Sequence, residues 1–466
     1  MFDVAVLGGG PAGIAAALAA ARAGARTALV ERYGFLGGMS TAALVYPWMT
    51  FHTESGRQVI RGIAQEIVDR LAARGASPGH LRDTIGFVHT VTPFDPEVYK
   101  VLAHEMLREA GVRVLLHAWA DDVETSGGRI RRLTLRGKSG PVTLEARMYV
   151  DATGDGDIAF RAGAPWEQGD REGRVQPMTM KFRMRGVDVG EIKAYMKRHP
   201  EEFYGRSLIP ELDRLPLTGV MGFYSIWKRA ALPIPREGLL FFIGPRGDEA
   251  LINVSRVSGL DPTRMEDLTE AELEGRRQAL MLERFLRESV PGFRHAALAQ
   301  VGTQIGVRET RRIRGLYMLS GEDVLSGRRF ADCIARSGYP IDIHDPSGAG
   351  VTTGMIRGGG AYDIPYRSLV PLGVENLLLA GRCISATHEA QATARLTPSC
   401  MAVGQAAGAA AAIAAREGLA AAEVPIHRLQ RLLLSQGAEL GLDGEEGIGE
   451  APDGKTERDG TEQAEK

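Results

Sequence analysis

Three kinds of apolar pattern alternate along the chain, and each predicts a different element. Short unbroken apolar runs at 2–7 and 26–30 have the composition of buried parallel strands, which are covered on both faces and need not alternate. Between them, 14–23 is rich in Ala and Leu, which suits a tightly packed helix, and Gly24 stops it. Over 95–110 the spacing becomes amphipathic and helical, with Val98, Val101 and Leu102 on the apolar side and Gly111 at the end. Residues 112–123, 130–135 and 142–150 read as strands, with Gly127 and Gly128 as a hairpin turn, so a small β-meander is predicted beside a Rossmann-type sheet.

From 165 to about 362 the rhythm changes. Strands are predicted at 178–184 and Leu239–Ile243, and a long helix at 268–290, with Thr269 and Glu272 as a capping box and Pro291 after its end. The strand-then-helix signal returns at 377–382, a run that meets a glycine at Gly381. A second apolar helix follows from Pro398, with Thr397 as its N-cap, and stops at Gly418. Its most apolar part, 401–415, is Ala- and Gly-rich and too short to span a bilayer, so it predicts a buried helix and no membrane span. The expected division is one α/β nucleotide-type domain made of 1–164 and 363–443, an inserted α+β domain at 165–362, and a disordered acidic tail at 444–466.

Composition narrows the classes. The chain has 466 residues, enough for two or three domains, and its 44% hydrophobic and 24% charged content is that of a soluble globular protein. A net charge of −2 argues against a nucleic-acid partner. The three cysteines, Cys333, Cys383 and Cys400, have no C-x-x-C spacing, which argues against a dithiol centre or an iron–sulfur cluster held by this chain alone. No metal site is expected. A sparse, odd set of cysteines and no visible targeting signal lead us to expect a cytoplasmic protein.

The first strand runs directly into Gly8-Gly9-Gly10-Pro11-Ala12-Gly13, a G-x-G-x-x-G turn that opens the first helix. Gly8, Gly10 and Gly13 have separate tasks: a tight turn, close approach of a pyrophosphate, and close helix–strand packing. The helix start offers unpaired N–H groups to phosphates. Glu31, a little under ~20 residues beyond Gly13, stands where an acid accepts from ribose hydroxyls. Strand, turn, helix and acid together predict a dinucleotide site, without saying which dinucleotide.

Four segments then resemble the FAD-dependent oxidoreductases of the glutathione-reductase-like, two-dinucleotide-binding fold. They are the opening device with Glu31 and Arg32; the loop Gly37-Gly38-Met39-Ser40-Thr41; Ala152-Thr153-Gly154-Asp155, similar to that fold's A-T-G motif; and Gly381-Arg382 with the helix from Pro398 and Ser399. Four further runs, 306–313, 339–344, 364–367 and 381–390, resemble the broad family labelled FAD-dependent oxidoreductase. That family is related to fumarate reductase and succinate dehydrogenase flavoproteins and to a heterodisulfide-reductase flavin subunit. The resemblance covers nearly all of 1–440. It implies FAD as cofactor, and Met39-Ser40-Thr41 stands near the place where fumarate reductases carry a covalent-flavin histidine, which implies non-covalent FAD. No second G-x-G-x-x-G follows, so no NAD(P)H domain is expected.

The resemblance implies an oxidoreductase that passes a hydride between a small organic substrate and flavin N5. It leaves two alternatives open: a flavin electron-transfer subunit docking on a separate iron–sulfur partner, and a non-redox protein with structural FAD. The candidate acid/base groups are His388 and His344, which titrate near neutrality when unperturbed. The candidate substrate clamp is the Arg308, Arg311, Arg312 cluster. In a strand, Arg308 and Arg312 would share one face and Arg311 would take the other, while pairing with Glu309 is the competing reading. Arg395 is a candidate for either the substrate or the FAD diphosphate.

Overall fold

The computed structural model describes residues 1–442 except Ser347 and Gly359, so the acidic tail expected at 444–466 lies outside the described residues. Five strands form a fully parallel sheet in the order Leu377–Leu379, Ala146–Asp151, Phe2–Leu7, Thr27–Val30, Arg113–Leu115. Val4 to Leu7, Ala28 to Val30 and Leu377 to Leu379 are all buried, which is why their sequences are unbroken apolar runs. The chain's late strand at 377–379 lies beside 146–151, so this sheet draws on segments far apart in sequence.

Helices Pro11–Arg22 and Thr397–Glu417 pack against each other with their backbones in contact. A Cβ on Gly404 would sit 2.1 Å from the Ala12 carbonyl oxygen, and one on Gly408 1.9 Å from that of Ala16. Thr397–Glu417 is long and apolar enough to cross a membrane, longer than the segment read from the sequence, yet 94% of its apolar window is buried inside the protein.

The meander forms from Trp119–Ser126, Arg129–Gly137 and Gly140–Leu144. Gly127 and Gly128, both at positive φ (59° and 72°), make its first turn. Two long strand readings divide here. The run 112–123 ends its parallel pairing at Leu115, passes through left-handed His117 (φ 54°), and re-forms as a meander strand. The run 142–150 breaks at Glu145 into a meander strand and a core strand. Apolar continuity does not register a change of sheet.

A second, antiparallel sheet has the order Gly219–Gly222, Leu239–Ile243, Glu249–Ile252, Phe182–Arg185, Ala297–Val301. It has its own core, with Met180, Phe182, Phe203, Phe241, Leu282 and Phe293 buried. The strand read at 178–184 is regular only over Phe182–Arg185, because Met178 and Thr179 pair with other segments, Val257 and Gly306. The long helix is Met265–Ser289, starting earlier than expected. Thr269 lies inside it and donates from Oγ1 to the Met265 carbonyl (2.8 Å), so the capping box is absent and Arg264 precedes the helix without a side-chain cap. Likewise Thr397 is the first helical residue, and Leu396 takes the cap position. The chain rejoins the first core from Ile313 onward, well before the boundary expected at 362: Cys333–Ser337 pairs with Tyr362–Pro365, and their buried residues belong to that core.

Candidate active site

One cavity, with about 570 Å³ open to the centre of a water molecule, runs from the glycine turn to the second sheet. Its first end is built by backbone. A Cβ at Gly8 (φ 108°) would lie 2.3 Å from the Ala152 carbonyl oxygen, and one at Gly13 would lie 1.8 Å from that of Gly8. These glycines bring strand, turn and helix into direct contact. Gly10 stands at the N-cap of Pro11–Arg22 with no side-chain cap, so the first-turn N–H groups of that helix remain for a ligand. Glu31 lines the cavity and accepts from the N–H groups of Gly9 (2.7 Å) and Tyr33 (2.9 Å). Burial pushes its carboxyl up, against the pull of those two donors.

Asp151 holds the neighbouring turn. It accepts from Thr153 (N and Oγ1), Ile158 N and Ala159 N, and burial raises its carboxyl to about 6. Ala152, Thr153 and Gly154 line the cavity as a result. Arg382 reaches the same wall. Its Nη2 donates to Asp155 Oδ1 (2.8 Å), while its buried Nη1 has no hydrogen-bond partner. An orphaned guanidinium N–H beside an uncapped helix start fits a dinucleotide diphosphate. Thr397 and Leu396, at the second uncapped helix start, line the cavity further along.

The opposite end is cationic. Lys181, Arg236, Arg308, Arg395 and His344 line it, and Arg256 donates to the Asp345 carbonyl oxygen (2.7 Å) behind His344. None of these four arginines and the lysine stands in an ion pair among the described residues. Arg308 donates instead to Thr179 Oγ1 (2.7 Å) and the Pro177 carbonyl, and Arg236 to the Asn253 carbonyl (3.0 Å). Burial and the charges of Arg308 and Arg395 bring Lys181 down to about 7. Burial and the four arginines hold His344 well below its ordinary value, leaving it a neutral imidazole at neutral pH, 3.7 Å from Asp342.

The sequence profile described as FAD dependent oxidoreductase matches residues 3–433. The chain belongs to this family. It is an enzyme of FAD, and the glycine turn, the uncapped helix start and Arg382 form a site that fits that cofactor. Thiamine thiazole synthases of Methanothermobacter thermautotrophicus and Aeropyrum pernix are 28% and 33% identical over 204 and 172 residues, which is 41% and 34% of this chain and 70% and 57% of theirs. Among solved structures, a geranylgeranyl bacteriochlorophyll reductase-like protein from Thermoplasma acidophilum aligns over 94% of this chain and 84% of that chain at 15% identity, TM-score 0.46. A p-nitrophenol 4-monooxygenase from Pseudomonas putida aligns over 94% and 87% at 12% identity, TM-score 0.47.

In this FAD-dependent oxidoreductase the residues expected at the site divide into those on the cavity wall and those behind it. Gly8, Gly10, Pro11, Ala12, Glu31, Arg32, Gly38, Met39, Gly381 and Arg395 are on the wall. Gly37, Ser40 and Thr41 are not. Thr41 covers Gly37 and donates to the Leu36 carbonyl, and Ser40 accepts from Trp48, so all three brace the loop. Asp155 also stands back, positioning Arg382 and accepting from Thr310. Pro398 and Ser399 turn away from the cavity, with Ser399 bonded to Ser337.

Of the four residues expected to act in catalysis, Arg308 and His344 reach the cavity and two do not. His388 is fixed by Glu309 (2.9 Å), which also binds Arg312, a buried triad away from the wall. Arg311 pairs with Asp157 (3.0 Å) and lies over the Phe160 ring. The alternation argument misplaced them because the strand is only Arg311–Ile313, and Arg308 precedes it. Reading the sequence for chemistry missed Lys181, Arg236 and Arg256. The usable signal was Lys181, one cation within the apolar run Met178-Thr179-Met180-Lys181-Phe182.

Proposed function

We propose that this enzyme transfers a hydride between a small organic substrate and FAD at the cationic end of the cavity. The observation that carries the reading is continuity: one cavity joins the nucleotide turn at Gly8 and Gly10 to Lys181, Arg308 and His344. FAD, when bound, supplies the hydride acceptor or donor. The chain's residues do the rest. The helix start at Thr397 offers N–H groups and a positive dipole end to negative charge developing nearby. The second sheet closes the other side with Leu239, Leu240 and Phe242, which limits water. Lys181, whose pKa of about 7 suits proton exchange at neutral pH, can take or give the proton that accompanies the hydride.

The test is spectroscopic. The purified holoenzyme is mixed anaerobically with a panel of small metabolites, and the visible flavin absorbance is followed. Bleaching by a subset of the panel, reversed by an oxidant, is expected. A flavin that no donor reduces, and that in its reduced form no acceptor reoxidises, would overturn the reading.

A further inference from the structure

Arg256 is buried, and it stands behind the cavity wall instead of on it. Its backbone is fixed by the antiparallel body. Gln278, buried on the helix Met265–Ser289, accepts from the Arg256 N–H (2.8 Å) and donates to the Arg256 carbonyl (3.1 Å). Val254 and Val257, on either side, belong to that body's core. The side chain crosses to a different part of the chain. Its Nη2 donates to the carbonyl oxygens of Asp345 (2.7 Å) and Gly350 (3.2 Å), and its Nη1 to that of Ala349 (3.4 Å).

Those three carbonyls stand at the tip of a hairpin whose strands, Ile341–His344 and Val351–Gly354, pair with each other as a two-stranded sheet. The first strand is backed by the helices His388–Ala394 and Gly321–Leu325. At its base Arg395 donates to the Asp342 carbonyl (3.4 Å). In the second strand Val351, Thr352 and Thr353 are exposed. A two-stranded ribbon is marginal by itself, so its place depends on what grips it. That place matters, because His344, Ala349, Gly350, Val351 and Thr353 all face the cavity. A guanidinium suits the grip: its planar fork reaches carbonyls on both sides of the tip with charge-assisted bonds, where a lysine offers one point.

We propose that Arg256 is a positioning residue: its guanidinium fastens the hairpin tip to the antiparallel body and so holds His344 and the Gly350-Val351 peptide as the wall at the substrate end of the cavity. Calling this the substrate end rests on the proposed function, but the fastening is measured without a substrate. Ile341 belongs to the first core and Val254 and Val257 to the second, so this one side chain ties the two together beside His344.

The experiment is timed digestion of the FAD-loaded enzyme with thermolysin, a protease that cuts before large aliphatic residues. Mass spectrometry counts the fragments ending at Gly350 and beginning at Val351. Quenching of flavin fluorescence by acrylamide, a neutral probe, is read on the same samples before digestion. Wild type is compared with Arg256→Met, Arg256→Lys, Leu282→Ala and Arg284→Gln. Cutting of a folded protein tracks the fraction that is locally open. Arg256→Met should speed the cut before Val351 by ~10-fold or more, since the charge-assisted bonds it removes are worth at least that factor, and it should raise the quenching. Arg256→Lys keeps a charged donor and should restore part of both. Leu282→Ala weakens the second core as a whole, and Arg284→Gln alters an exposed pair with Glu288; both should stay near wild type. An unchanged cut in Arg256→Met overturns the proposal. So does a cut that rises as much in Leu282→Ala, because the hairpin would then open only with the whole protein. A faster cut with unchanged quenching takes the hairpin away from the flavin and overturns the positioning role. If Arg256→Met fails to fold, Arg256→Lys decides, and a cut no faster than wild type overturns. A faster cut and greater quenching in an enzyme whose flavin no donor reduces keeps this assignment and removes hydride transfer. Bleaching by a metabolite, with the cut unchanged in every variant, does the reverse.

Discussion

Lys181 carries a buried amine to the cavity wall, where no carboxylate among the described residues pairs with it, and the cost is pH-dependent. Its folded value, about 7, lies below the ordinary 10.5. Below about pH 7 both folded and unfolded chains hold the proton, and the penalty for burying the charge is complete. As the pH rises from about 7 towards 10.5 the unfolded chain binds more protons than the folded one, so stability rises through that window. Lys181→Met should therefore stabilise the substrate-free enzyme, by more than ~1 kcal/mol near pH 6 and by less near pH 9, in urea denaturation at the two pH values. A stability gain that is the same at both pH values would show that Lys181 is not buried as a charge. Nothing in the spacing of residues announces such a lysine. Its chemistry comes first from burial and then from Arg308 and Arg395, which are more than a hundred positions away and act on it only after folding.

The two helices crossing at Gly404 and Gly408 show a different dependence. Alanine in an exposed helix interior would be worth about 1 kcal/mol over glycine. Here an added methyl would meet the Ala16 carbonyl oxygen at 1.9 Å, and backbone cannot step aside as a side chain can. Gly408→Ala should lower stability by about 1–3 kcal/mol. It should also weaken FAD retention, because the start of Thr397–Glu417 borders the cavity; thermal melts and the release of flavin fluorescence would register both. A melt unchanged or raised by Gly408→Ala would mean the helices can part without loss. This helix was legible from the sequence as buried and Ala-rich, and so were the first strand, the glycine turn and the hairpin at Gly127-Gly128, because each is specified by neighbouring residues. What escaped was non-local: the break at His117, which depends on where the chain must next pair, and the withdrawal of His388 and Arg311 into pairs with Glu309 and Asp157. A histidine or arginine in a promising motif looks the same whether its partner is a substrate or a buried carboxylate.

Two separate cores meet across one cavity, and a ligand that touches both walls must couple them. Ala152 from the first core and Leu239 from the second face the same space. FAD at about a hundred times its dissociation constant should add ~2.7 kcal/mol to stability. In calorimetry the apoprotein's unfolding should shift upward on adding FAD, and any separate transition of the antiparallel body should move towards that of the parallel one. A transition of the second body indifferent to FAD would show that the cofactor rests on one side only.

The order of strands in the parallel sheet also sets a timetable. Phe2–Leu7 is made first, while its sheet-mate's outer neighbour, Leu377–Leu379, emerges some 370 residues later. At ribosomal speeds of about 5–20 residues per second that interval is roughly 20–70 s. Throughout it the glycine turn exists without Arg382 or the helix at Thr397, so a nascent chain has half a cofactor site and an uncovered sheet edge at Ala146–Asp151. A chain cut short before residue 377 therefore keeps the nucleotide signature in its sequence while lacking Arg382 and the helix start at Thr397 that complete the cavity wall.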